Sequence, residues 1–81
     1  MDATRLVRIS KYLSKHLRHA PDRLGLVLAP GGWVNVDELL SACAAAQFPI
    51  TQAELEAVVA DNDKQRFSFD ETHTRIRANQ G

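Results

Sequence analysis

Apolar residues change their spacing once along this chain, and that change constrains the fold more than any other feature. Leu6, Ile9, Leu13 and Leu17 recur every three or four residues, which at about 100° per residue puts them on one helical face. From Phe67 onward the spacing shortens. Phe67, Phe69, Ile76 and Ala78 alternate with Arg66, Ser68, Arg75 and Arg77, the pattern of strands with one face on a core. The chain therefore reads as helices followed by a β-hairpin, with Asp70 to Thr74 as its polar loop.

Caps and turns divide the helical part. Thr4 is the expected N-cap of the first helix, and Pro21 ends it, because the residue before a proline avoids the α region. Leu24 to Leu28 is a short apolar stretch, Pro30-Gly31-Gly32 a turn, and Trp33-Val34 a brief strand. Asn35 to Glu38 has capping-box spacing and opens a second helix, expected to run to Pro49 with Val36, Leu39, Leu40 and Cys43 inward. Thr51 to Glu54 repeats that spacing. It opens a third helix that buries Leu55, Val58 and Val59 and is expected to end near Asp61-Asn62-Asp63. The resulting fold class is α+β, mainly α: a winged-helix domain of three helices with a short strand and a C-terminal β-hairpin wing. Residues 1–81 are expected to form one domain and a monomer.

Composition narrows the setting. No apolar run approaches the roughly 20 residues that cross a bilayer. Met1-Asp2-Ala3-Thr4-Arg5 leads straight into a charged amphipathic segment, so no secretory signal and no membrane partner are expected. Cys43 is the only cysteine, which excludes an intramolecular disulfide and points to the reducing cytoplasm. His16 and His73 lack metal-ligand spacing, and no metal is expected. Trp33 reads as a core residue.

Ten basic and ten acidic side chains cancel to a net charge of zero, but they are not mixed. Arg5, Arg8, Lys11, Lys15 and Arg18 crowd the first segment, acids fill the middle, and Lys64, Arg66, Arg75 and Arg77 return near the end. On the helix, Arg8, Lys11, Lys15 and Arg18 fall nearly opposite the apolar stripe, with His19 at its margin. Both ends could meet a polyanion if the fold unites them. Between Thr51 and Asp63 there is no Lys or Arg, so the third helix is a poor candidate for lying against DNA phosphate.

Three blocks resemble the RNA 2′-phosphotransferase family across nearly the whole chain. Ser10-Lys11-Tyr12-Leu13-Ser14 with Leu17-Arg18-His19 is similar to its opening signature. Gly32-Trp33-Val34-Asn35-Val36-Asp37-Glu38-Leu39-Leu40 resembles the second block. Asn62-Asp63-Lys64-Gln65-Arg66-Phe67, running into Arg75-Ile76-Arg77-Ala78-Asn79-Gln80-Gly81, resembles the third.

The resemblance implies an RNA-binding N-terminal lobe of a two-lobed enzyme that removes an internal 2′-phosphate at a tRNA splice junction. NAD⁺ is the implied co-substrate, bound mainly by a C-terminal lobe that family members carry beyond the position of Gly81. The implied chemistry is attack of the 2′-phosphate on the nicotinamide ribose, then release of repaired RNA and ADP-ribose 1″,2″-cyclic phosphate. Arg18, His19 and Arg66 match three members of the family's catalytic set, and the fourth, an arginine, belongs to the other lobe. The implied partners are RNA carrying an internal 2′-phosphate and that lobe, and the 81-residue chain alone is expected to be inactive.

The residue types suit these roles, because guanidinium forks match phosphate oxygens and a histidine titrates near neutral pH. Arg8, Lys11, Lys15, Arg75 and Arg77 are the expected RNA- or phosphate-binding set. Arg75 and Arg77 equally suit an ordinary wing surface, and Arg18-His19 a solvated helix end facing the macrodipole. Two other functions stay open: a free-standing winged-helix DNA-binding regulator and a protein-interaction domain.

Overall fold

A computed structural model of the chain describes residues 3–60 and 66–79. Helix α1 (Ala3–Ser14) passes into a π turn (Lys15–His19) and a 3-10 turn (Pro21–Leu24). Strand β1 (Val34–Asn35), α2 (Val36–Ala45), α3 (Gln52–Ala60), β2 (Phe67–Phe69) and β3 (Arg75–Ala78) follow. The three strands form one antiparallel sheet in the order β1-β3-β2.

Two features of α1 differ from the sequence expectation. Thr4 lies inside the helix rather than capping it, since α1 already includes Ala3. The last turn is wound wider, with Ala20 N–H donating to Lys15 O at 3.0 Å, an i to i−5 bond. Both His16 and Leu17 are buried there, and Arg18 and His19 are exposed. His16 Nδ1 is 2.8 Å from Tyr12 O, and its ring lies 4.2 Å from that of Tyr12, which stacks on Phe48 at 4.1 Å.

Both expected capping sites are used, to different extents. Asn35 Oδ1 accepts from Glu38 N–H at 3.2 Å, one half of a box. Thr51 and Glu54 make the reciprocal pair, each backbone N–H donating to the other side chain at 3.0 Å. Helix α2 stops at Ala45, short of Pro49, because Gln47 takes a positive φ of 64° and Phe48 N–H turns back to Cys43 O at 2.9 Å. The expected end of α3 at 61–63 lies outside the described residues.

The hairpin register pairs Phe67 with Ala78 and Phe69 with Ile76, so these residues turn to the core face as their alternation requires. Ile9, Leu13, Leu39, Cys43, Leu55 and Ile76 are fully buried at the centre, where α1, α2, α3 and the sheet converge. Each such aliphatic contributes about 1.5–3 kcal/mol on burial. Burial also pushes the Cys43 thiol up to about 11, so it is a core residue rather than a reactive one. No helix among the described residues is long and apolar enough to cross a membrane.

Candidate functional site

The sheet brings together residues far apart in sequence. Strand β1 pairs with β3 through Val34–Ile76 and Asn35–Arg75, so Trp33, just before β1, falls beside Arg77. At the other edge, Asn79 N–H donates to Arg66 O at 2.7 Å, which sets Arg66 opposite Asn79 across the hairpin. By alternation Arg66, Ser68, Arg77 and Asn79 share the face away from the core. Asn79 Nδ2 donates to Ser68 Oγ at 2.7 Å on that face.

The π turn reaches the same place. Arg18 lines a cleft of about 500 Å³ together with Arg77 and Asn79, walled by Leu17, Leu28 and the Gly31-Gly32 turn. Two arginines therefore line one cleft, whereas Arg66 and His19 are not among its lining residues, and the half-buried Arg66 is tied to it through its backbone bond to Asn79. His19 is exposed at the end of the π turn. Arg8, Lys11 and Lys15 are exposed on α1 and the first residue of the π turn, and do not line the cleft.

Arg75 and Arg77 lie on one face but are held differently. Arg75 Nε donates to Asp70 Oδ2 at 3.1 Å, within a loop that Asp70 organises by also accepting from Thr74 and Arg75 N–H groups at 3.0 and 3.1 Å. Desolvation pushes the Asp70 carboxyl up, but the Arg75 N–H, the Arg75 guanidinium, the Thr74 N–H and the Thr72 hydroxyl outweigh it and draw it down to about 2. Arg77 lies with Cζ 5.0 Å from the Trp33 ring centroid, and Arg75 at 5.8 Å.

Trp33 is half-buried, and its ring faces arginines rather than the apolar centre, which corrects its reading as a core residue. The signal for this was the antiparallel pairing of β1 with β3, a non-local contact that local spacing does not contain. Among the described residues no three His, Cys, Asp or Glu side chains are grouped to hold a metal.

The sequence profile of the RNA 2′-phosphotransferase, Tpt1 / KptA family matches residues 4–81. All 81 residues align at 76% identity with a protein of Trichormus variabilis named "Probable RNA 2'-phosphotransferase", covering 44% of that protein. Proteins of the same name from Nostoc punctiforme and Streptomyces coelicolor align over the whole chain at 69% and 57% identity, with 45% and 43% of their own lengths covered. The chain thus spans less than half the length of the curated relatives it matches. A match over nearly every residue, including those around the arginine-lined cleft, places the chain in the RNA 2′-phosphotransferase family.

Proposed function

We propose that this chain is the RNA-facing lobe, of winged-helix type, of an NAD⁺-dependent RNA 2′-phosphotransferase acting on an internal 2′-phosphate such as tRNA splicing leaves. The observation that carries the reading is the cleft in which Arg18 meets Arg77 and Asn79, with Arg66 directly across the hairpin from Asn79. A phosphomonoester bears between one and two negative charges near neutral pH. Forked donors from separate elements suit its several oxygens better than a single ammonium would.

Arg18 and Arg66 hold the 2′-phosphate and stabilise charge that develops on it during transfer. His19 donates to the phosphate or handles the proton of a reacting hydroxyl. Arg8, Lys11 and Lys15 present an exposed basic strip to the RNA backbone, as the exposed Arg75 does from the wing and the half-buried Arg77 from the cleft. NAD⁺ is the co-substrate. Its contacts belong mainly to the part of the full-length enzyme that corresponds to the relatives' unmatched half. The 81-residue chain alone binds RNA without turning it over.

A DNA-binding regulator is disfavoured by α3, whose sequence from Gln52 to Ala60 contains two glutamates and no Lys or Arg. Titration of the chain with a short RNA bearing one internal 2′-phosphate, its unphosphorylated twin and duplex DNA tests the reading. Tighter binding of the phosphorylated RNA, with NMR shifts centred on Arg18, His19 and Arg66, is expected. Preference for duplex DNA, or equal affinity for both RNAs, contradicts it.

A further inference from the structure

Arg77 differs from Arg5 and Arg75 in what its Nε meets. Arg5 gives Nε to Glu54 and Arg75 gives Nε to Asp70, both at 3.1 Å. Arg77 Nε is buried and has no hydrogen-bond partner among the described residues. A buried N–H on a charged group is costly to leave unpaired, so other contacts must hold this guanidinium in place.

Its surroundings look built. The Arg77 guanidinium lies against the Trp33 ring at 5.0 Å, a contact that fixes the cation's position without using its N–H donors. The Trp33 ring is itself held close by the turn before it. A Cβ on Gly31 would come within 3.2 Å of Trp33 Cδ1 and Nε1, and within 3.9 Å of Arg77 Nη1. Gly31 also has a φ of +88°, which a side chain would strain. A side chain at this position would press on the ring and strain the turn, so glycine suits this close approach.

The guanidinium held this way borders the cleft that Arg18 also lines, beside the apolar walls of Leu17 and Leu28. Among the described residues no carboxylate pairs with the Arg77 guanidinium, and an anion with several oxygens suits the donors it brings to the cleft.

We propose that Gly31, Trp33 and Arg77 form a preset phosphate clamp, in which the Arg77 guanidinium donates to a phosphate oxygen of bound RNA at the cleft wall and Trp33 is the positioning residue for that guanidinium. The clamp rests on the reading of the chain as an RNA-facing lobe and adds to it a residue pair outside the Arg18, His19 and Arg66 set. The phosphate is either the 2′-monoester or a backbone diester next to it. Both offer the same acceptor, and the two RNAs below tell them apart.

The test follows the Arg77 guanidinium N–H resonances and calorimetric affinity for a short RNA with one internal 2′-phosphate, its unphosphorylated twin and inorganic phosphate. Arg77→Lys keeps the charge but loses the fork, and weakens RNA binding by about tenfold or more. Trp33→Leu, which changes no charge, causes a comparable loss, and Trp33→Phe restores most of it by returning an aromatic face. Thermal midpoints of all variants are recorded so that affinities are read on folded protein. A loss confined to the phosphorylated RNA assigns the clamp to the 2′-phosphate, and an equal loss for both RNAs assigns it to the diester. Arg77 guanidinium N–H resonances that no phosphate species moves, or folded Trp33→Leu protein with wild-type affinity, overturn the clamp. If the wild-type chain fails to distinguish the two RNAs, the 2′-phosphate reading falls, while the Arg77 variants on plain RNA still decide the clamp.

Discussion

Glu54 Oε2 accepts a 3.1 Å hydrogen bond from Arg5 Nε, which ties the start of α3 to the first turn of α1. The other oxygen of the same carboxylate accepts from Thr51 N–H at 3.0 Å. The Thr51 backbone bond first, and the Arg5 side-chain bond second, draw the Glu54 carboxyl below its usual range. Arg5 adds a 2.6 Å bond to Pro49 O and lies 5.0 Å over the Phe48 ring. One carboxylate thus serves a cap and a tertiary contact.

That double use separates two substitutions. Thr51→Ala removes the side-chain acceptor of the cap and costs about 1 kcal/mol. Glu54→Gln keeps an acceptor for Thr51 N–H but loses the charge opposite Arg5, a partly exposed pair, and costs about 0.5 kcal/mol. Urea unfolding of both proteins measures this, and a Glu54→Gln cost larger than that of Thr51→Ala contradicts the assignment.

Asp70 gives the wing a pH dependence of definite sign. Its folded carboxyl is drawn down to about 2, below its unfolded value near 4. A depressed carboxyl stabilises the fold above the unfolded value, and that contribution disappears as pH falls from about 4 towards 2. The Asp70 side-chain carbon resonance is expected to titrate with a midpoint near the lower figure. Asp70→Asn should remove this part of the acid sensitivity. A wild-type midpoint at the ordinary aspartate value sinks the prediction.

Local signals carried most of the elements into view. The period of Phe67, Phe69, Ile76 and Ala78 gave the observed register, and the Thr51–Glu54 spacing marked a reciprocal cap that the structure contains. The wide turn at Lys15–His19 was not legible, because Leu13 and Leu17 keep a spacing that an α turn and a π turn both satisfy. His16, 8% exposed, was hidden by the same ambiguity. The cleft was legible only in part. Arg18 and Arg77 could be singled out by residue type, but their meeting depends on β3 lying beside the π turn, a contact between residues nearly sixty positions apart. Trp33 was misplaced for the same reason: burial by an arginine and burial by a core look alike in one dimension.

Exposed and cleft-lining cations should behave differently towards RNA. Lys11 is exposed on α1, so Lys11→Ala is expected to weaken phosphorylated and plain RNA alike and to reduce the salt slope by about 1. Arg18 lines the cleft, so Arg18→Lys should leave the salt slope unchanged while lowering the preference for 2′-phosphorylated RNA by about tenfold. Binding isotherms at several salt concentrations distinguish the two. The reversed pattern would contradict the placement of the 2′-phosphate beside Arg18.

Gly31 and Gly32 offer a control within one turn. Both have positive φ, +88° and +83°, so alanine at either position is strained and costs roughly 1 kcal/mol. Only at Gly31 would the new Cβ meet the Trp33 ring, at 3.2 Å, whereas at Gly32 it would meet nothing within 4 Å. Trp33 is the single tryptophan, so emission and near-ultraviolet dichroism at its wavelengths report on that ring alone. Gly31→Ala should lower stability and also shift the Trp33 signal, because the ring must give way or the turn must move. Gly32→Ala should lower stability to a similar degree with the signal unchanged. Equal spectral changes in the two variants would mean that the turn shifts as a whole, and the close approach of Gly31 would then not be what seats the ring beneath Arg77.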